Sequence, residues 1–153
     1  MRRTFIVAVV LAATTAILAT VAAARPTTAK QRVSIAQKGN SFVLTPASSG
    51  AIQPDRGAFA ACCWTTHHVV VAGQRLELNN PLLTFTGKNG TLKFRNRIVW
   101  VDLPDKWSLF TGTWKVVGGT GAYAGLSGSG HVDGAVTANG HDRVQFFGFL
   151  TSS

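Results

Sequence analysis

The chain contains few of the residues that usually mark catalytic or metal sites. Its 153 residues include two cysteines, one methionine and six acidic side chains, against fifteen lysines and arginines. The cysteines, Cys62 and Cys63, are neighbours, and such Cα atoms lie about 3.8 Å apart, below the usual disulfide range of about 4.4–6.8 Å. They therefore predict two thiols on opposite faces of a strand, one toward the core and one outward. The outward thiol can pair with another chain in an oxidising compartment.

Metal ligands and catalytic groups are equally sparse. No Cys or His set has zinc spacing, so neither a metal nor a cofactor is expected. His67 and His68 face opposite ways in a strand, whereas His131 and Asp133 share one face. The serines of the Leu-Ser-Gly-Ser-Gly run lack the strand–turn–helix setting of a nucleophile elbow. No catalytic residue is identified, and a non-enzymatic protein is favoured over an enzyme.

The basic charge is spread along the chain rather than gathered into a run. There is no polybasic segment and no aromatic–basic interleaving of the kind that grips single strands, so nucleic acid is not an expected partner. The formal net charge of +9 leaves an anionic polymer of the cell envelope open as a partner. A soluble surface with a basic bias is the simpler interpretation.

The N-terminus has the features of a targeting segment. Arg2 and Arg3 precede an uncharged, mostly apolar run over residues 5–21, and the alanines at 22–24 suit a signal peptidase. We expect a signal peptide over residues 1–24 that is cleaved. An uncleaved anchor helix is the alternative, and the arginine pair leaves the twin-arginine export route open.

Cleavage would leave a short linker over residues 25–30 and a single domain over residues 31–153. The net charge of the remaining chain is near +7. We expect this domain to be secreted or extracytoplasmic, within the cell envelope, and to make no membrane contact after cleavage.

Alternating apolar and polar residues predict β-strands throughout the domain, and no window has helical spacing. From Thr91 to Trp100 the even positions are apolar, except Asn96, while the odd positions include three basic residues. The clearest short strands are at 41–45, 57–64, 67–72, 75–78 and 82–86, and further strands lie near 91–100, 110–116, 134–137 and 143–150. Eight or nine short strands imply an all-β sandwich or barrel, with the barrel favoured.

A glycine cluster over residues 118–130 resembles a phosphate-binding loop only superficially. The segment from Gly119 to Ala124 satisfies the spacing G-x-G-x-x-A. The dinucleotide fingerprint needs that turn to open a helix, and the glycines that follow cannot sustain one. Nucleotide binding is not expected; the glycines instead suit a tight turn followed by a bent strand.

The same turn resembles the signature of the allene oxide cyclase and dirigent barrel superfamily. The run Val-Gly-Gly-Thr-Gly-Ala-Tyr, followed by Leu-Ser-Gly-Ser-Gly, is similar to the turn of that family and to its small exported bacterial members, whose function is mostly unassigned. The motif residues are Gly118, Gly119, Thr120, Gly121 and Tyr123. The resemblance implies an antiparallel eight-stranded barrel with an apolar interior that associates as a homo-oligomer, a trimer. In the plant enzymes the cavity steers cyclisation or radical coupling of an apolar substrate without a metal or cofactor.

Five residues carry the inward parity of their strands and are candidates to line a ligand cavity: Phe94, Asn96, Trp100, Trp114 and Phe146. The alternative is that the aromatic rings simply fill the barrel, which is only just wide enough for side chains. Asn96 must form hydrogen bonds or line a wet cavity. An open cavity with a carboxylate beside Asn96 would favour an enzyme, whereas an interior closed by the aromatic rings would favour a role for the surface.

The outward row Lys93, Arg95 and Arg97 is a candidate basic surface. The leading hypothesis is a non-enzymatic exported barrel that binds a small apolar molecule inside or acts through its surface. The first alternative is a cofactor-free cyclase or stereo-directing enzyme acting on an apolar substrate. The second is a binder of cell-wall or other anionic polymers through the basic row.

Overall fold

The predicted alternation continues through the strands of the computed structural model, which describes residues 29–152. The strands are β1 (Ala29–Lys38), β2 (Ser41–Pro46), β3 (Asp55–Cys62), β4 (Thr66–Val71), β5 (Gln74–Asn79), β6 (Leu82–Gly87), β7 (Gly90–Asp102), β8 (Ser108–Gly119), β9 (Ser127–Val136) and β10 (Asp142–Ser152). A 3-10 turn, Gly121–Tyr123, follows β8. The expected signal peptide lies outside the described residues. Strand β1 begins inside the segment that the sequence suggests as a linker.

Eight of these strands close into an antiparallel barrel. Their order around the barrel is β7-β6-β3-β2-β1-β10-β9-β8, and β8 pairs back onto β7. The remaining two strands, β4 and β5, form a hairpin that extends from the barrel, because β5 pairs only with the end of β7, from Ile98 to Trp100. The all-β, eight-stranded antiparallel barrel is therefore confirmed. Within residues 29–152 no helix is long and apolar enough to cross a bilayer.

The side chains alternate across the barrel wall as the sequence predicts. In β7, Phe94, Asn96 and Ile98 are buried, whereas Lys93 and Arg97 are exposed. The same alternation in the other strands gives one core, whose largest fully buried side chains are Trp114, Tyr123, Phe85, Phe94 and Phe146. The burial of these rings is the main favourable contribution to folding.

Trp114 occupies the middle of the barrel because two glycines make room for it. Its ring stacks on Phe94, with centroids 4.4 Å apart and an angle of 11° between planes. Its Nε1 donates hydrogen bonds to the backbone oxygens of His131, at 3.0 Å, and Phe147, at 3.2 Å. A Cβ on Gly130 would lie 2.7 Å from the Trp114 ring, and one on Gly148 would lie 2.5 Å from it. The middle of the barrel is thus filled by protein.

One end of the barrel is closed by the glycine-rich turn after β8. Tyr123, 2% exposed, points into this end, and its hydroxyl donates a 2.7 Å hydrogen bond to the Asp55 carboxylate. The backbone amides of Lys88 and Asn89 donate to the same carboxylate at 3.1 Å and 3.2 Å. Gly121 has φ of +60°, and a Cβ there would approach the Asn89 oxygen to 2.5 Å. The turn therefore needs glycine at this position to bring Tyr123 onto Asp55.

These hydrogen bonds set the ionisation of the closed end. Burial alone would raise the pKa of Asp55, but the hydrogen bonds from Tyr123 and from the amides of Arg56, Asn89 and Lys88 outweigh it and lower that pKa. Burial, and then the neighbouring carboxylate, raise the pKa of Tyr123. Asp55 is therefore an ionised acceptor, and Tyr123 is its neutral donor.

We predict that Tyr123→Phe destabilises the protein by about 1–3 kcal/mol at neutral pH, since a buried carboxylate loses one donor. The pKa of Asp55 is lowered on folding, so its contribution is present above the unfolded pKa of about 3.9 and is lost as the pH falls through the folded value. Urea unfolding at about pH 7 and about pH 3 should therefore show a smaller effect of the substitution at the lower pH.

Thr111→Val is the matched control, because it removes a 2.7 Å hydroxyl–carboxylate bond to Asp133 on the exposed face. We expect this control to change stability by only about 0.5 kcal/mol at both pH values. A Tyr123→Phe effect that stays the same at both pH values would contradict the assigned role of Asp55.

The packing of Trp114 gives a second prediction. Gly130→Ala should destabilise by about 1–3 kcal/mol, because the new methyl group would overlap the Phe147 carbonyl and press on the indole. Gly118→Ala is the control, since a Cβ there meets nothing within 4 Å; it should change stability by about 0.5 kcal/mol or less. If Gly130→Ala and Gly118→Ala lost the same stability in urea unfolding, the packing of Trp114 would not require the absence of a side chain at residue 130.

Candidate functional site

A small cavity lies at the end of the barrel opposite Tyr123. Its volume is about 110 Å³. The walls come from the inward positions near the ends of seven barrel strands, together with Trp64 and Pro81. Its lining includes Gln37, Trp64, Asn96, Trp100, Phe110 and Asp142. We call this cavity the end pocket.

Three polar side chains enter the otherwise apolar end pocket. Gln37 and Asn96 are each 2% exposed. The Gln37 Nε2 donates to the backbone oxygen of Gly39, at 2.6 Å, and to Asp142 Oδ2, at 2.8 Å. Within the described residues, Gln37 Oε1 and Asn96 Oδ1 are buried without a hydrogen-bond partner. Leaving a buried acceptor unpaired costs free energy, so Gln37 and Asn96 are the pocket side chains whose hydrogen bonding is least complete.

Aromatic rings form the rim of the end pocket. Trp100 and Phe110 stack with centroids 4.8 Å apart and an angle of 6° between planes. The Trp100 Nε1 donates to Asp102 Oδ1 at 3.0 Å, and hydrogen bonds from Ser108 and Trp100 lower the pKa of Asp102. Trp64 also borders the pocket, with 52% of its surface exposed. The rim thus offers three aromatic rings to an apolar molecule.

The size of the end pocket restricts what fits inside. An apolar cavity of about 150 Å³ can hold a benzene molecule, whereas drug-sized ligands need about 300 Å³ or more. At about 110 Å³, the end pocket has room for one small ring or for the end of a longer molecule whose remainder lies between the rim residues.

The predicted cavity residues fall into two groups. Asn96, Trp100 and Phe146 line the end pocket. Phe94 and Trp114 lie deeper, in the filled part of the barrel, and do not border this cavity. The aromatic rings therefore fill the middle of the interior and leave a pocket at one end.

Two polar residues of the pocket were missed from the sequence. Gln37 faces inward in β1, as Val33 and Ile35 do. Because Gln37 is polar, the sequence of this strand did not show the expected alternation of apolar and polar residues. Asp142 is the carboxylate that lines the end pocket, but it accepts hydrogen bonds from Gln37 and from the Gly39 amide rather than from Asn96. A charged residue that closely follows the pair Asn139-Gly140 gave no signal that it would contact Gln37, which is 105 positions away.

The family turn motif does not contribute to the end pocket. Gly118, Gly119 and Gly121 shape the connection that leads to Tyr123, and Thr120 pairs with Thr91 through its backbone amide and its hydroxyl. All of them belong to the closed end. Their role in the structure is to close the barrel.

The predicted basic row lies on the outside of the barrel. Lys93 and Arg97 are exposed, Arg95 is half-buried, and Lys115 of β8 stands directly opposite Arg95. The ion pairs among the described residues join histidines to carboxylates, His68 to Glu77 and His131 to Asp133. No lysine or arginine of residues 29–152 has a carboxylate within 4.0 Å, so this surface keeps its positive charge free.

The expected orientation of the thiols is wrong in one respect. Both Cys62 and Cys63 are free thiols and both are exposed, so neither faces the core. Cys62 has the outward parity of β3, and Cys63 has φ of 58°, which turns the chain out of the strand before the next side chain would point inward.

His131 and Asp133 share the outer face as expected, with 3.1 Å between His131 Nε2 and Asp133 Oδ1. The described part of the chain contains no group of three or more His, Cys, Asp or Glu side chains that could hold a metal ion.

A larger groove of about 750 Å³ runs along the outside of β1, β9 and β10, past Phe147 and Phe149. It is wide open, and no buried polar atom without a partner faces it among the described residues. The end pocket is therefore the better candidate for a specific site.

Comparisons with protein families, with curated proteins and with solved structures find no match to this chain.

Proposed function

We propose that this chain is an exported, non-enzymatic barrel of the allene oxide cyclase/dirigent type that binds a small apolar molecule in its end pocket. The observation that carries the proposal is the pair of buried acceptors without a partner, Gln37 Oε1 and Asn96 Oδ1, on two side chains that line the end pocket. A buried amide oxygen without a donor is unfavourable in the empty protein. A ligand with one hydroxyl or amine hydrogen would satisfy it.

The chemistry of the ligand follows from this arrangement. It has one small ring or an apolar end that fits about 110 Å³, and it carries a hydrogen-bond donor directed at Asn96. Its outer part lies between Trp64 and the stacked pair Trp100 and Phe110. Such a pocket, mostly apolar with a few convergent polar groups, is typical of small-molecule sites.

Benzyl alcohol and toluene are suitable probes, because they share a ring and differ mainly by a hydroxyl group. We expect the protein to bind benzyl alcohol about fivefold to tenfold more tightly than toluene, the equivalent of one neutral hydrogen bond. Asn96→Leu should remove this preference. Either toluene still binds and benzyl alcohol has no advantage over it, or the leucine closes the pocket to both. NMR shift titrations, with the indole signals of Trp64 and Trp100 as reporters, measure both affinities.

Gln145→Leu is the matched control, since it removes an amide from the exposed outer face; it should leave both affinities unchanged. Asn96→Leu should also stabilise the empty protein by about 1 kcal/mol or more, because it removes a buried polar group that lacks a partner. A destabilised variant that still prefers benzyl alcohol would refute the proposal.

A second candidate function is binding of an anionic polymer to the basic row, and the free positive charge of that surface favours it. Replacement of Lys93, Arg95 and Arg97 by glutamine should abolish binding of polyphosphate, a soluble polyanion. The control carries the same change of charge at the exposed residues Lys38, Arg56 and Arg143. If both triple variants lost the same affinity for polyphosphate, and if high salt abolished binding completely, the binding would reflect only a non-specific effect of net charge.

A further inference from the structure

The adjacent thiols lie at the point where β3 leaves the barrel. Cys62 is the last residue of the strand, and Cys63 has φ of 58°, in the left-handed region that non-glycine residues rarely adopt. Both side chains are exposed to solvent, on a segment that pairs with no other strand beyond Cys62. A small reagent can therefore reach both sulfur atoms.

The two thiols influence each other and face positive charge. Interaction with the Cys63 thiol is the largest effect on Cys62 and raises its pKa, with lesser contributions from burial and from the charge of Cys63. Arg95 and Lys93 act in the opposite direction on the same thiol. The opposing strand brings them there, since Cys62 pairs with Leu82, and Leu82 pairs with Arg95. These two cations offset only part of that rise, so they act toward the thiolate while the neighbouring thiol acts against it.

We propose that Cys62 and Cys63 form a thiol–disulfide exchange site that reduces small external disulfides and closes into a ring across one peptide bond. The Cys63 thiolate attacks one sulfur of the external disulfide, forms a mixed disulfide and releases one thiolate. Cys62 then loses its proton to solvent and attacks the Cys63 sulfur, which releases the second thiolate. Two protein thiols are oxidised, and one external disulfide is reduced to two thiols.

The order of the two steps fits the surroundings of the sulfurs. Cys62 retains its proton more strongly than an ordinary thiol, which suits the group that acts second. The ring joins residues whose Cα atoms are closer than in ordinary disulfides, and strained, exposed disulfides are the readily reduced ones. A small external thiol can therefore attack the ring and, with a second thiol, restore both cysteines and leave as a disulfide, so the ring is not a structural cross-link.

Ring closure acts directly on the rim of the end pocket. Trp64 follows Cys63 in sequence and borders the pocket, so a change of backbone conformation at Cys63 moves the indole. The effect of this movement on ligand binding rests on the proposed function. The exchange chemistry itself does not depend on whether the pocket binds a ligand.

The test uses the full reduced protein, treated with oxidised glutathione under argon and then with iodoacetamide. We expect intact mass spectrometry to show a product lighter than the reduced protein by two hydrogen atoms, with complete loss of both alkylatable thiols. Cys62→Ser should stop at a stable glutathione adduct on Cys63. Cys63→Ser should form an adduct more slowly, and the double variant should not react.

Three outcomes would overturn the proposal. They are a stable glutathione adduct on the wild-type protein, a disulfide-linked dimer on a non-reducing gel, and a dithiol that remains reduced. Tryptophan emission should change on oxidation of the wild-type protein and not of Trp64→Phe, which keeps both cysteines. Failure of benzyl alcohol to bind would refute the pocket proposal alone, because the mass measurement requires no pocket ligand.

Discussion

The hydrogen bond between Tyr123 and the Asp55 carboxylate decides which end of the barrel can be open. The same carboxylate accepts hydrogen bonds from Lys88 and Asn89, so one charge ties together the start of β3, the β6–β7 turn and the turn after β8. A buried carboxylate without these donors would be very unfavourable. The backbone of the glycine-rich turn is therefore held in the conformation that closes this end. Any site inside the barrel is restricted to the other end.

The second constraint is the volume that Trp114 takes from the middle of the barrel. An eight-stranded barrel has little space beyond that of its own side chains. The indole lies across Gly130 and Gly148 and stacks on Phe94, so the centre has no room for a long ligand. What remains is the end pocket. The binding that we propose there would depend on the rim residues and on Asn96 rather than on a continuous channel through the protein.

The sequence predicted the barrel well and its site only in part. Alternation in β7 showed which residues face inward, including Asn96, because a strand repeats every two residues. It did not reveal β1, whose inward positions include Gln31 and Gln37 among the apolar residues. Nor could it distinguish the filling role of Trp114 from the lining role of Trp100. That difference depends on strand register, which sets glycines against one ring and leaves the other at the rim.

The two ends of the barrel differ in how completely their buried polar groups are hydrogen-bonded and in how favourable their backbone conformations are. At the closed end, Asp55 and Tyr123 satisfy each other, and the buried Gln31 bonds to Ser48 and Ile52. At the open end, the oxygens of Gln37 and Asn96 have no partner among the described residues, and Cys63 adopts a conformation better suited to glycine.

Such departures cost stability, and they persist where the surrounding structure enforces them, most often at functional sites. Others occur elsewhere, at Asn80, Ala72 and Lys106, but those at Gln37 and Asn96 line one small pocket, and Cys63 directly precedes Trp64 of its rim. Leucine at position 96 and glycine at position 63 would each relieve the local cost. The open end is therefore the part of the molecule where function, rather than folding, best accounts for the residues present.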